Sequence, residues 1–145
     1  MSAISRAGAW TAPPDVLVGR VVGAGLLVWM GWIHLHLWSQ GYKHLPSIGY
    51  LFLLNFLAAV LLAVIVLAVP RRYLTLAAGA GTLMAAGTLV SLAVSINVGL
   101  LGFKDSYNAP FVHTTIWVEG AAVVVLGYTA VRSAPFLRLA PRAGD

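Results

Sequence analysis

Glu119 is the chain's single glutamate and the one carboxylate set inside an apolar run, the stretch from Phe111 to about Val131. At ~1.5 Å per helical residue counted from Phe111, it lies on the order of 12 Å inside that stretch. A charge so deep in hydrocarbon costs several kcal/mol unless it is paired. The carboxyl must therefore be protonated, partnered or in contact with water, and proton transfer and ligand binding exploit such states.

The other apolar runs each supply a polar group at comparable depth: His34 in the first, Asn55 in the second, and Ser95 with Asn97 in the third. Gathered in one layer, His34, Asn55, Ser95, Asn97 and Glu119 would form a ligand-binding network. Trp32 and Trp117, deeper than the aromatics at the ends of the runs, could line such a cavity. A plainer role for Asn55, Ser91 and Ser95 is to bond one another or backbone carbonyls and fasten helices together. Glu119 fits that role less well, because intramembrane carboxylates are rare and costly.

Histidine raises a second chemistry. His36, His44 and His113 fall on the same side of the chain as His34, and a copper or zinc site could draw on them with Glu119 as an oxygen ligand. His34 and His36 are two residues apart, so on a helix they face nearly opposite ways and cannot chelate one ion unless the helix unwinds. A bis-histidine haem would need His34 and His113 to face each other across the helices, and both lie near the rim. Cysteine is absent, which removes disulfides, thiolate metal sites and thiol redox relays. Gly79-Ala80-Gly81 sits in an apolar run with no strand before it, so it is no nucleotide loop. The residue types thus leave ligand and cofactor unspecified.

Four apolar runs must position these groups, near 16–38, 47–69, 73–101 and 111–131. Each has the roughly 20 residues a helix needs to cross a hydrocarbon core of about 30 Å. Pro13-Pro14-Asp15 opens the first and offers a cap, Ser39-Gln40-Gly41 closes it, Pro46-Ser47 opens the second, and Pro70 ends it. The expected fold is all-α, an integral membrane antiparallel four-helix bundle over 16–131. Residues 1–15 and 132–145 are expected to form cytoplasmic ends. The first run is read as a retained helix, because Arg20 sits at its edge and no small-x-small cleavage site follows Trp38. Gly19-x-x-x-Gly23 and Gly87-x-x-x-Ser91-x-x-x-Ser95 are expected to pack inside the bundle.

Composition agrees with this plan. The chain is 60% apolar and 9% charged, against about 25% charged in soluble domains, and could not clothe a water-facing surface. Its net charge of +5 lies at the ends of apolar runs and not in a patch, which excludes nucleic acid as a partner. The expected partners are the lipid bilayer and a membrane protein complex or homo-oligomer. Arg6, Arg20, Arg71, Arg72, Arg132, Arg138 and Arg142 fall on one side, against Lys43 and Lys104 on the other. The arginine side is then cytoplasmic, in an inner or plasma membrane. Trp38, Tyr42, Tyr50 and Tyr107, with Tyr73 and Tyr128 opposite, suit interfacial belts.

Gly31-Trp-Ile-His-Leu-His-Leu-Trp38, Gly41-Tyr42-Lys43 and Ile48-Gly-Tyr-Leu-Phe-Leu-Leu-Asn55 together resemble small four-helix membrane proteins of actinobacteria. The resemblance spans all four helices and implies that fold without an activity. More remotely, size and plan are similar to the DoxX-like group, which implies a link to quinone or thiol redox chemistry, and this chain has no thiol.

The leading expectation is a non-enzymatic membrane protein that binds a lipid-like or small ligand, or a membrane subunit, through the outer polar layer. Two others are a quinone-handling component in which His34 and Glu119 move protons, and a metal-binding protein or permease. Sidedness is directly testable: cysteines at Ser39 and Ser106 should react with an impermeant thiol reagent in intact cells, and one at Ser133 should not. Labelling from the opposite side would reverse the orientation.

Overall fold

The computed structural model describes residues 12–134, which are helical apart from short connections. Among them are four α-helices, α1 (Pro14–Ser39), α2 (Ile48–Ala68), α3 (Arg71–Asn97) and α4 (Val112–Ser133), one 3-10 turn at Tyr42–His44, and no strand. Each α-helix is long and apolar enough to cross a membrane. Arg6, Arg138, Arg142 and the expected terminal segments up to residue 11 and from residue 135 lie outside the described residues.

Local chemistry sets the boundaries. Pro14 takes the first turn of α1, where no amide hydrogen is needed. Asp15 does not cap that helix as expected; its carboxylate instead accepts hydrogen bonds from Tyr128 (3.0 Å) and Arg132 (2.9 Å), tying α1 to α4. Val69 is extended before Pro70, as sterics require, and the chain reverses there into α3. The third helix stops at Asn97, four residues short of the expected 101. Gly99, Leu101 and Gly102 all take positive φ, and Leu100 pairs with Phe103 in an isolated bridge.

Large side chains of α1 fill the interior. Leu27, Met30 and Ile33 are fully buried against Ala59 and Val66 of α2, Ala78 and Ala85 of α3, and Ala122 and Leu126 of α4. Long residues on one helix opposite alanines on the others let the layers interlock at close-packed density. α1 packs on α2 and α4, and α3 packs on α4; α2 and α3, although consecutive, make the weakest of these four pairings. Outward faces stay apolar, with Tyr50, Leu76, Leu83, Trp117 and Val124 exposed.

The two small-residue stripes behave differently. A Cβ on Gly19 would run into the Thr129 hydroxyl, and one on Gly23 into Leu126, so these glycines let α1 and α4 approach closely. Gly87 meets nothing within 4 Å and is exposed, and Ser91 is exposed while lining the cavity described below, so that part of the α3 stripe does not pack against another helix as expected. Arg20, 1% exposed, donates to the carbonyl of Val69 and pins α1 to the end of α2.

Ser39 and Ser106 are exposed and suit the sidedness experiment, but Ser133 is buried, so exposed Arg72 is the better reporter for the other side. Packing has its own test. Gly23→Val should lower stability in detergent by about 1–3 kcal/mol through overpacking, whereas Gly25→Ala, which meets open space, should stabilise by up to about 1 kcal/mol. Thermal unfolding of the two variants checks this, and equal effects would contradict the α1–α4 contact.

Candidate functional site

Four inward-facing positions converge on one cavity. Along α4, Val112, Thr115, Val118, Glu119 and Ala122 are buried, the three-and-four spacing of one helical face. Glu119 is 0% exposed. On α1, His34 continues the face of Met30, and its Nδ1 lies 2.9 Å from the Met30 carbonyl. A carbonyl can only accept, so Nδ1 carries a hydrogen, and in the neutral ring Nε2 keeps its lone pair. That lone pair faces Glu119, with Nε2 to Oε1 at 3.9 Å, too long for a direct hydrogen bond. The Phe52 ring of α2 packs on the imidazole with centroids 5.1 Å apart.

The cavity holds about 340 Å³, and His34, Asn55, Ser95 and Glu119 supply polar groups to a largely apolar wall. Both Glu119 oxygens, Asn55 Oδ1 and Ser95 Oγ are buried without a hydrogen-bond partner. The Thr88 hydroxyl stands beside Glu119, but its better-placed acceptors are the carbonyls of Met84 (3.1 Å) and Ala85 (2.9 Å).

The 98–111 connection roofs this space. The Asp105 amide donates to the Ser95 carbonyl at 3.2 Å, holding the loop to the end of α3. Phe103 meets the Tyr42 ring edge-on at 5.6 Å, and Tyr42 stacks on Phe52 at 4.8 Å. Burial first, and then the nearby Asp105 carboxylate, push the Tyr42 phenol above its usual pKa. Between α2 and α3 the wall thins: Leu51 and Leu54, 44% and 61% exposed, line the cavity as well as the outer surface.

Of the expected ligand residues, the structure brings Glu119, His34, Asn55 and Ser95 together and leaves out three. Asn97 is exposed, its amide donating to the Ala93 carbonyl at 2.8 Å. Trp32 is 48% exposed and stacks on His36, and Trp117 is 78% exposed. All three lie two positions from a site residue, about 200° around the helix, and so face away. Thr88, Thr115, Tyr42, Phe52 and Phe103 also line the cavity without having been expected there. Spacing could have found three of them, since Thr115 lies four before Glu119, Thr88 seven before Ser95 and Phe52 three before Asn55.

The histidines expected to bind metal stay apart. His36 stacks with Trp32 at 5.0 Å and meets Phe111 at 5.2 Å, His44 is exposed in the 3-10 turn, and exposed His113 meets Tyr107 edge-on at 4.5 Å. Among the described residues no three His, Asp or Glu side chains converge on a point that could hold a metal ion. His113 is likewise no partner for His34 across the cavity. Compared with family models, characterised proteins and solved structures, the chain matches none. The likenesses to actinobacterial four-helix proteins and to the DoxX-like group therefore rest on the sequence alone.

A buried carboxyl with no hydrogen bond opposes folding, and replacing it with an apolar group of similar volume removes that cost. Glu119→Leu should therefore raise the thermal midpoint in detergent, where a gain of about 1 kcal/mol corresponds to roughly 4 °C. Glu119→Gln should leave it nearly unchanged. A sharp fall with Leu would mean that Glu119 is a structural fastener.

Proposed function

We propose that this chain is a multi-pass protein of the inner or plasma membrane, an antiparallel four-helix bundle with both termini in the cytoplasm, whose cavity binds a lipid-like small molecule. The observation that carries this reading is the Glu119 carboxyl, wholly buried and unbonded in a cavity with a mainly apolar wall. Sites for small ligands characteristically combine an apolar concavity with a few convergent polar groups, and volumes of about 300 Å³ upward are typical. The thin α2–α3 wall favours a ligand arriving from the hydrocarbon phase over one arriving from water.

A second reading, a quinone-handling component that moves protons, draws support from the 3.9 Å separation of His34 Nε2 and Glu119 Oε1. A single bridging hydroxyl group, accepting from the Glu119 carboxylic acid and donating to His34 Nε2, could relay a proton across it.

Dicyclohexylcarbodiimide, which partitions into lipid and condenses with carboxylic acids, tests access to the cavity. In membranes it should modify Glu119, seen as a mass increment on the peptide that contains it, while a charged water-soluble carbodiimide should not. Ala58→Trp, which fills the cavity from α2, should suppress the reaction. An unmodified Glu119 would mean that no path joins bilayer and cavity, and the ligand reading would fall.

A further inference from the structure

Given a cavity that takes a lipid-like ligand, its unsatisfied atoms specify the chemistry of the ligand's head. Glu119 Oε1, Glu119 Oε2 and Asn55 Oδ1 are buried without partners; the amide oxygen can only accept, and so can both carboxyl oxygens once Glu119 is ionised by handing its proton to the ligand's head. In the neutral ring His34 Nε2 adds a fourth acceptor, because the Met30 carbonyl holds the ring hydrogen on Nδ1. The Ser95 hydroxyl can turn either way. A ligand that satisfies this set must bring several donors.

Charge points the same way. The titratable groups facing the cavity are His34 from α1, Tyr42 and Asp105 from the connections, and Glu119 from α4. α2 and α3 contribute none, and no lysine or arginine lines the space. Two carboxyl groups thus stand there without a fixed cation. Tyr42, stacked on Phe52 and met edge-on by Phe103, and these two phenylalanine rings add negative π-faces, which attract cations.

We propose that the ligand is an amphiphilic primary amine, bound as its ammonium ion. The head lies between Glu119, His34 and Asn55, and the alkyl tail runs past Leu51 and Leu54 toward the α2–α3 opening. Separations support this placement: atoms 3.9 Å apart subtend about 90° at a nitrogen ~2.8 Å from each, close to the angle between two N–H bonds of an ammonium group. A third N–H remains for Asn55. An alcohol brings one donor, a quaternary ammonium brings charge without a donor, and a fatty acid brings more negative charge to a site already rich in acceptors.

Native mass spectrometry of the full chain, released from phosphatidylcholine nanodiscs after titration with dodecylamine, dodecanol or dodecyltrimethylammonium, tests the assignment. Dodecylamine should bind more tightly than the other two by roughly tenfold or more. Glu119→Gln should abolish that preference, and Asn55→Leu should weaken amine binding. Should Glu119→Gln fail to fold, the ranking of the three ligands on the unaltered chain still decides. Equal binding of dodecanol or of the quaternary ion would overturn the amine head while leaving a lipid-binding cavity in place. Binding of all three that Ala58→Trp does not diminish would put them outside the cavity and overturn both.

Discussion

Few polar side chains are available to hold together four helices whose outer surfaces are apolar, and how those few are used explains most of the architecture. Backbone groups are satisfied inside the helices, the arrangement that hydrocarbon surroundings demand. Several hydroxyl and amide side chains, at Thr82, Ser91, Asn97 and Thr129, are turned back onto the carbonyl four residues earlier. Contacts between helices through polar groups concentrate where α1 begins: Asp15 reaches Tyr128 and Arg132, and Arg20 reaches the end of α2. Glu119, Asn55 and Ser95 are among the exceptions, with Thr75 and Ser133: each has a buried side-chain oxygen without a hydrogen-bond partner.

That division has a steric counterpart. Near the start of α1, Gly19 and Gly23 bring its backbone against Thr129 and Leu126 of α4, and little space remains. Toward its other end the facing residues are Ala58, Thr88, Ser95 and Thr115, whose side chains are too short to meet in the middle. The cavity is thus the result of small residues around a wide end, with aromatic rings closing the top. Its fully buried carboxyl, Glu119, comes from the same inward stripe of α4 that elsewhere supplies Ala122 and Leu126 to the core.

The number of helices and their approximate limits were legible because long apolar runs broken by proline leave little choice. The overshoot at the end of α3 arose because Val98, Leu100 and Leu101 continue the apolar run while the backbone around them has already left the helix. Glu119, His34, Asn55 and Ser95 could be picked out by their scarcity. Trp32, Trp117 and Asn97 were misplaced because depth alone was considered: once Glu119 faces inward, Trp117 cannot. Such rotation was hard to read from runs so uniformly apolar that no polar face marks the outside. Lying on one side of the chain does not bring His36, His44 and His113 together, because each has aromatic or solvent surroundings of its own.

The weak α2–α3 pairing bears on the speed of exchange. Around the cavity the helices follow one another as α2, α1, α4 and α3, and the ends of that series meet with little packing between them. A molecule entering there need not separate two tightly interlocked helices, so filling the cavity carries no conformational step comparable to the opening of a lid. For a ligand that binds as proposed, arrival then sets the association rate, and differences in affinity among ligands appear as differences in residence time.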